Sequence, residues 1–173
     1  MKTLSTILAI LLYSGVFVSS AGAQEIFKVP KIRNSENYAN MSGQATGLIA
    51  TSINYAKSLG KSVDDFAYFT GDIFKTSWNK EMGFNGFVNG MIYNSIGFFP
   101  GAKITILEQS ENMIKYKIIL TPEFIKKFPL FNVTLDEYLM FHKGVVLKIG
   151  EYLSANYSHE FTGNEINVTI VKK

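Results

Sequence analysis

Two histidines and no cysteine limit the chemistry this 173-residue chain can offer. His142 stands inside the run LDEYLMFHKGVVLKIGEYL, where Leu135, Tyr138, His142, Val145, Ile149 and Tyr152 recur at steps of three and four. An imidazole on such an apolar helical stripe could act as a general base, a proton shuttle or an axial ligand. It could equally be a core histidine satisfied by a carbonyl and a hydroxyl. Tyr138 and Val146 occupy the positions one turn away, so its own helix supplies no polar partner. His159 alternates with Tyr157 and Phe161 on a strand and is expected as an exposed edge residue. A zinc site would need two carboxylates besides these histidines, and HExxH spacing is absent, so no metal site is expected. Asp72 is expected to pair with Lys75 three residues on. A triad of Ser77, Asp72 and His142 is not required by any spacing, and no GxSxG motif is present, so catalytic residues stay unassigned.

Bulk carries more than motif. The chain holds 14 Phe, 9 Tyr and one Trp. Phe66, Phe69, Phe74, Trp78, Phe84 and Phe87 crowd the stretch before Phe98-Phe99-Pro100-Gly101. That is more aromatic surface than a few short helices need to close upon themselves. It would surround an apolar pocket, enter a homodimer interface, or simply fill the core. For a pocket, the expected lining is Phe74, Trp78, Phe87, Met91, Tyr138 and His142.

The elements that must position these residues are read from periodicity and caps. A helix over about 35–59 is expected to bury Met41, Ala45, Leu48, Ile49, Ile53 and Ala56, with Gly60 just past its end. A second follows, opened by a capping box of Ser62 and Asp65, with Val63, Phe66, Ala67, Phe69, Ile73, Phe74 and Trp78 on its apolar face. A third runs through Phe84, Phe87, Val88, Met91, Ile92 and Ile96. Its glycines (Gly83, Gly86, Gly90 and Gly97) each cost about 1 kcal/mol against alanine and form a smooth strip for a neighbouring helix or a flat ligand. Strands are expected at 103–108 and 113–121, with Ile114, Tyr116, Ile118 and Leu120 on the dry face. A helical turn starts at Pro122. The His142 helix is capped by Thr134 and Glu137. Two strands joined by a Gly163-Asn164 turn of type II′ close the chain. The fold class is therefore α+β. Three N-terminal helices precede a hairpin, a helix and a second hairpin, and the four-stranded antiparallel sheet is covered by helices on one face.

This order resembles the small-molecule-binding α+β domains of the 4-vinyl-reductase and heme-NO-binding-like group. GKSVDDFAYFTGDIFKTSW, and VTLDEYLMFHKGVVLKIGEYL with the closing NEINVTI, look similar to bacterial proteins grouped with the L-2-amino-thiazoline-4-carboxylic acid hydrolases. The first likeness implies ligand binding and the second a hydrolase. The YxSxR haem signature is missing, and the absence of cysteine excludes thiol-dependent chemistry.

Residues 1–23 read as a signal peptide. Lys2 precedes the apolar run Leu4–Val18, which is too short to span a bilayer, and Ala21-Gly22-Ala23 offers a cleavage site before Gln24. Residues 24–36 are expected as an extended arm, and 37–173 as one domain with no transmembrane segment. A cysteine-free exported chain suits a bacterial envelope, periplasmic or secreted. The formal net charge is +3, one unit of it from Lys2, and the basic residues are dispersed. Nucleic acid is therefore not an expected partner. The leading expectation is an exported protein that binds an apolar or aromatic small molecule between helices and sheet, cofactor unknown. The alternatives are a hydrolase using His142 and a homodimeric interaction module.

Overall fold

A computed structural model describes residues 34–173; the stretch 1–23 expected as a signal peptide, and residues 24–33 of the expected arm, lie outside the described residues. The helices are α1 (Asn34–Ser58), α2 (Val63–Phe74), α3 (Gly83–Phe98), α4 (Pro122–Ile125) and α5 (Leu135–Tyr152). The strands are β1 (Lys103–Gln109), β2 (Met113–Ile119), β3 (Ala155–Thr162) and β4 (Glu165–Lys172). Two 3₁₀ turns, Lys75–Ser77 and Lys80–Met82, join α2 to α3. The architecture is α+β, as the alternation of periods predicts.

Local chemistry accounts for the starts and stops. The Thr134 hydroxyl accepts from the Glu137 amide at 3.2 Å, and the Glu137 carboxylate takes the Thr134 amide at 2.8 Å. This reciprocal box opens α5, and the Lys57 ammonium of α1 docks on the same carboxylate. Burial works against the Glu137 charge, but Lys57 and the Thr134 amide outweigh it and hold the carboxyl below its ordinary range. Thr134→Ala is expected to cost about 1 kcal/mol, read as a shifted urea midpoint with an unchanged slope. At α2 only half of the expected box forms: the Asp65 amide donates to Ser62 Oγ at 3.0 Å. Asp64 and Asp65 then lie at the positive end of the helix.

The sheet is antiparallel throughout, in the order β1-β2-β4-β3. Gly163 has φ 64° and Asn164 has no positive φ, which matches a type II′ hairpin between Thr162 and Glu165. Ile114, Tyr116 and Ile118 of β2 and Ile166, Val168 and Ile170 of β4 are buried under the helices. The other face carries Lys117, paired with Glu165 at 2.9 Å across the β2–β4 ladder.

Two helix faces differ from the periodicity reading. On α1 the buried stripe is Ser42, Thr46, Ala50, Ile53 and Ala56, whereas Met41, Ala45 and Leu48 are exposed. The Thr46 hydroxyl returns its proton to the Ser42 carbonyl, so small polar residues can pack where larger apolar ones were expected. On α2, Val63, Ala67 and Gly71 are buried while Phe69, Ile73 and Phe74 face outward. The cause is a close crossing of α2 and α5. A Cβ on Gly71 would stand 2.7 Å from Lys148 Cβ and 2.8 Å from the Val145 carbonyl oxygen, and one on Gly144 would stand 2.5 Å from Ala67 Cβ. Bulky side chains are excluded from that seam and turn to either side of it. The glycines of α3 act differently: Gly90 seats the Trp78 indole, Gly86 lies against Met82, and Gly97 faces open space.

Candidate functional site

An open cleft of about 720 Å³ lies among α1, α2, α3 and α5. Ala45, Leu48 and Ile49 of α1 form one wall. Phe66, Phe74 and Trp78 form the next, and Met91, Ile96 and Phe98 a third. Phe141, His142, Val145, Val146 and Ile149 of α5 complete it. Its entire lining comes from the helical half of the molecule, rather than from between helices and sheet as expected. No strand residue borders it; the inward side chains of β2 and β4 belong to the buried core instead. The Tyr38 hydroxyl of α1 donates to the Ile96 carbonyl of α3 at 3.0 Å and ties two walls together.

Of the six expected lining residues, Phe74, Trp78, Met91 and His142 border this cleft. Phe87 and Tyr138 do not. Both are fully buried behind it. Phe87 packs edge-on against Trp78, ring centres 5.9 Å apart, and against the Gly150 position of α5. Tyr138 sits among Phe98, Phe99, Phe124 and Phe128 and gives its hydroxyl proton to the Phe98 carbonyl at 3.3 Å. Periodicity shows that a residue is inside, not whether it belongs to the wall or to the layer behind. Leu48, Ile49 and Phe66 are wall residues missed as a site; their place on apolar stripes had suggested plain core.

His142 is 2% exposed. Phe98 and Phe99 present T-shaped contacts to its ring at 4.7 and 5.0 Å, and the His159 ring stacks on it at 6.0 Å. Its Nδ1 is buried with no hydrogen-bond partner among the described residues. Burial, with His159 adding to it, pushes its pKa down to about 3, so the imidazole is neutral at physiological pH.

His159 is not an exposed edge residue. It is 7% exposed although β3 is an edge strand, because α5 covers that face of the sheet. Its Nδ1 lies 2.8 Å from the Tyr157 hydroxyl, and burial together with the Lys143 charge lowers its pKa to about 4. A smaller hollow of about 440 Å³, between Tyr68, Lys143, Gly144 and Phe161, opens on this side of α5. Among the described residues, Tyr116 is the other buried side chain with an unpartnered polar atom, its hydroxyl oxygen. The Ser95 hydroxyl facing it donates to the Met91 carbonyl instead, and burial pushes the phenol up to about 12.

The elements of a nucleophilic site stay apart. Asp72 is exposed and accepts from Lys75 at 2.7 Å, which holds its carboxyl below the ordinary range. Ser77 is exposed and donates to the Phe74 carbonyl. Neither bonds to His142. Among the described residues no group of three His, Cys, Asp or Glu side chains could hold a metal ion, and no helix is long and apolar enough to cross a membrane.

No protein-family profile and no curated protein matches the chain. Among solved structures it is similar to a crystal structure of an Fe(II) unliganded H-NOX protein mutant from K. algicida. The identity is 13% and the TM-score 0.35, over 98% of this chain and 87% of that one. At that depth the likeness carries no assignment, and the reading of function rests on the cleft.

Proposed function

We propose that this is an exported protein that binds an apolar or aromatic small molecule in the cleft between α1, α2, α3 and α5. The observation that carries the reading is an aromatic-walled hollow of about 720 Å³ with a buried, neutral imidazole in its wall. That volume is in the ordinary range for small-molecule sites, which are mostly apolar with a few polar points. The aromatic surplus supports the same reading, since Phe66, Phe74, Trp78 and Phe98 border the hollow instead of filling it. Export rests on the run Leu4–Val18 and the Ala21-Gly22-Ala23 site.

Trp78 is the single tryptophan and stands on the cleft wall, so it reports directly. Titration of the mature protein with the neutral probe N-phenyl-1-naphthylamine is expected to give saturable binding with energy transfer from Trp78. Ile49→Trp, which fills the hollow from α1, is expected to weaken it at least about tenfold. A flat titration would overturn the reading. The exposed Phe69 and Ile73 favour a second one, a homodimer interface. Sedimentation as a dimer together with a flat titration would select it.

A further inference from the structure

The polar and charged groups around the cleft narrow the class of guest. No Asp, Glu, Lys or Arg borders the hollow among the described residues. The hydroxyls that do have given up their protons and can only accept: Ser52 donates to the Leu48 carbonyl at 2.8 Å, Thr70 to the Phe66 carbonyl at 2.8 Å, and Tyr38 to the Ile96 carbonyl at 3.0 Å. Tyr93 and Asn94 stand exposed at the rim. His142 Nδ1 also lacks a partner, but it lies sealed beneath the wall, so the hydrogen-bonding points that a guest can reach are the acceptor lone pairs left on the Ser52, Thr70 and Tyr38 oxygens.

An ionised guest would leave water for a wall that offers no counter-charge. Burying an unpaired carboxylate or ammonium is strongly unfavourable, whereas a hydroxyl needs only one partner. From this accounting we infer that the cleft selects uncharged amphiphiles, an apolar body carrying a single hydrogen-bonding group, and rejects the matching anions and cations. A fatty alcohol or a phenol belongs to the class; a fatty acid anion does not. The inference deepens the proposed function and rests on it.

Displacement of bound N-phenyl-1-naphthylamine at pH 7 by 1-decanol, decanoate and decylammonium tests the selection, with chain length held constant. Decanol is expected to displace the probe at concentrations at least about a hundredfold below those needed for either ion. Thr70→Val, which removes one of those acceptors and keeps the shape of the side chain, is expected to weaken decanol several-fold while leaving the affinity of the probe itself within about twofold. Asn94→Lys places an ammonium at the exposed rim without disturbing the core, and should bring decanoate to within about tenfold of decanol. Decanoate or decylammonium that competes as well as decanol, while the probe binds, overturns the selection and leaves the binding site standing. Absence of probe binding removes the site itself, and the selection with it.

Discussion

Lowering the pH from 7 to 4 is expected to remove about 3 kcal/mol of stability through His142 alone, with His159 adding to it. The ring has a folded pKa near 3 against an ordinary value of 6.5. Between those values the unfolded chain binds the proton and the folded one does not. The contribution is therefore complete above about pH 6.5 and declines as the pH falls toward 3. His159, held near 4, acts in the same direction over the upper part of that window. Carboxylates such as Glu137, whose folded pKa is depressed, lose their contribution only below the usual carboxylate range of about 4.3. The interval from pH 6.5 to 4.5 thus belongs to the histidines. Urea titrations followed by Trp78 fluorescence across that interval measure the slope. His142→Leu should roughly halve it and change stability at pH 7 by no more than about 1 kcal/mol, since the imidazole it removes has an unsatisfied nitrogen. Parallel losses in the variant and the parent would show that some other group takes up the proton.

Gly71→Val is expected to destabilise the protein by at least about 3 kcal/mol and to lower Tm by roughly 10 °C. The added carbons would press on the Val145 carbonyl and on Lys148 Cβ, which are backbone and the root of a side chain. Neither yields without separating α2 from α5. Because Phe66 and Phe74 of α2 and His142 of α5 border the cleft, the same separation should also weaken probe binding. Gly97→Ala is the matched control. It meets nothing within 4 Å and replaces a helical glycine, so it should be neutral or stabilise by up to about 1 kcal/mol. A Gly71→Val loss no larger than the change from Gly97→Ala would mean that the seam does not exclude side chains at Gly71.

His159 shows how far sequence reasoning reaches. Alternation put Tyr157, His159 and Phe161 on one strand face, and they do share it; exposure was then inferred from the edge position. The covering helix α5 is a non-local fact that alternation along β3 does not contain. The same holds for α1. Its apolar Leu48 falls on the stripe that periodicity places inside, yet it stands 70% exposed at the cleft, while Ser42 and Thr46 are buried.

By itself the sequence determined what short-range physics decides. The Thr134–Glu137 box, the Ser62 cap, the II′ turn at Gly163 and the period-2 pattern of β2 and β4 each involve residues within four positions of one another. Their hydrogen bonds and side-chain directions follow from the local chain alone. Tertiary structure decided the rest. It paired Gly71 with Val145 and Gly144 with Ala67, and stacked His142 on His159. It also put Phe87 and Tyr138 behind the wall and left Phe74, Trp78 and Met91 on it. Those outcomes depend on how closely two distant helices can approach, which is set by side-chain volumes on both partners at once, and no periodicity along a single helix records them.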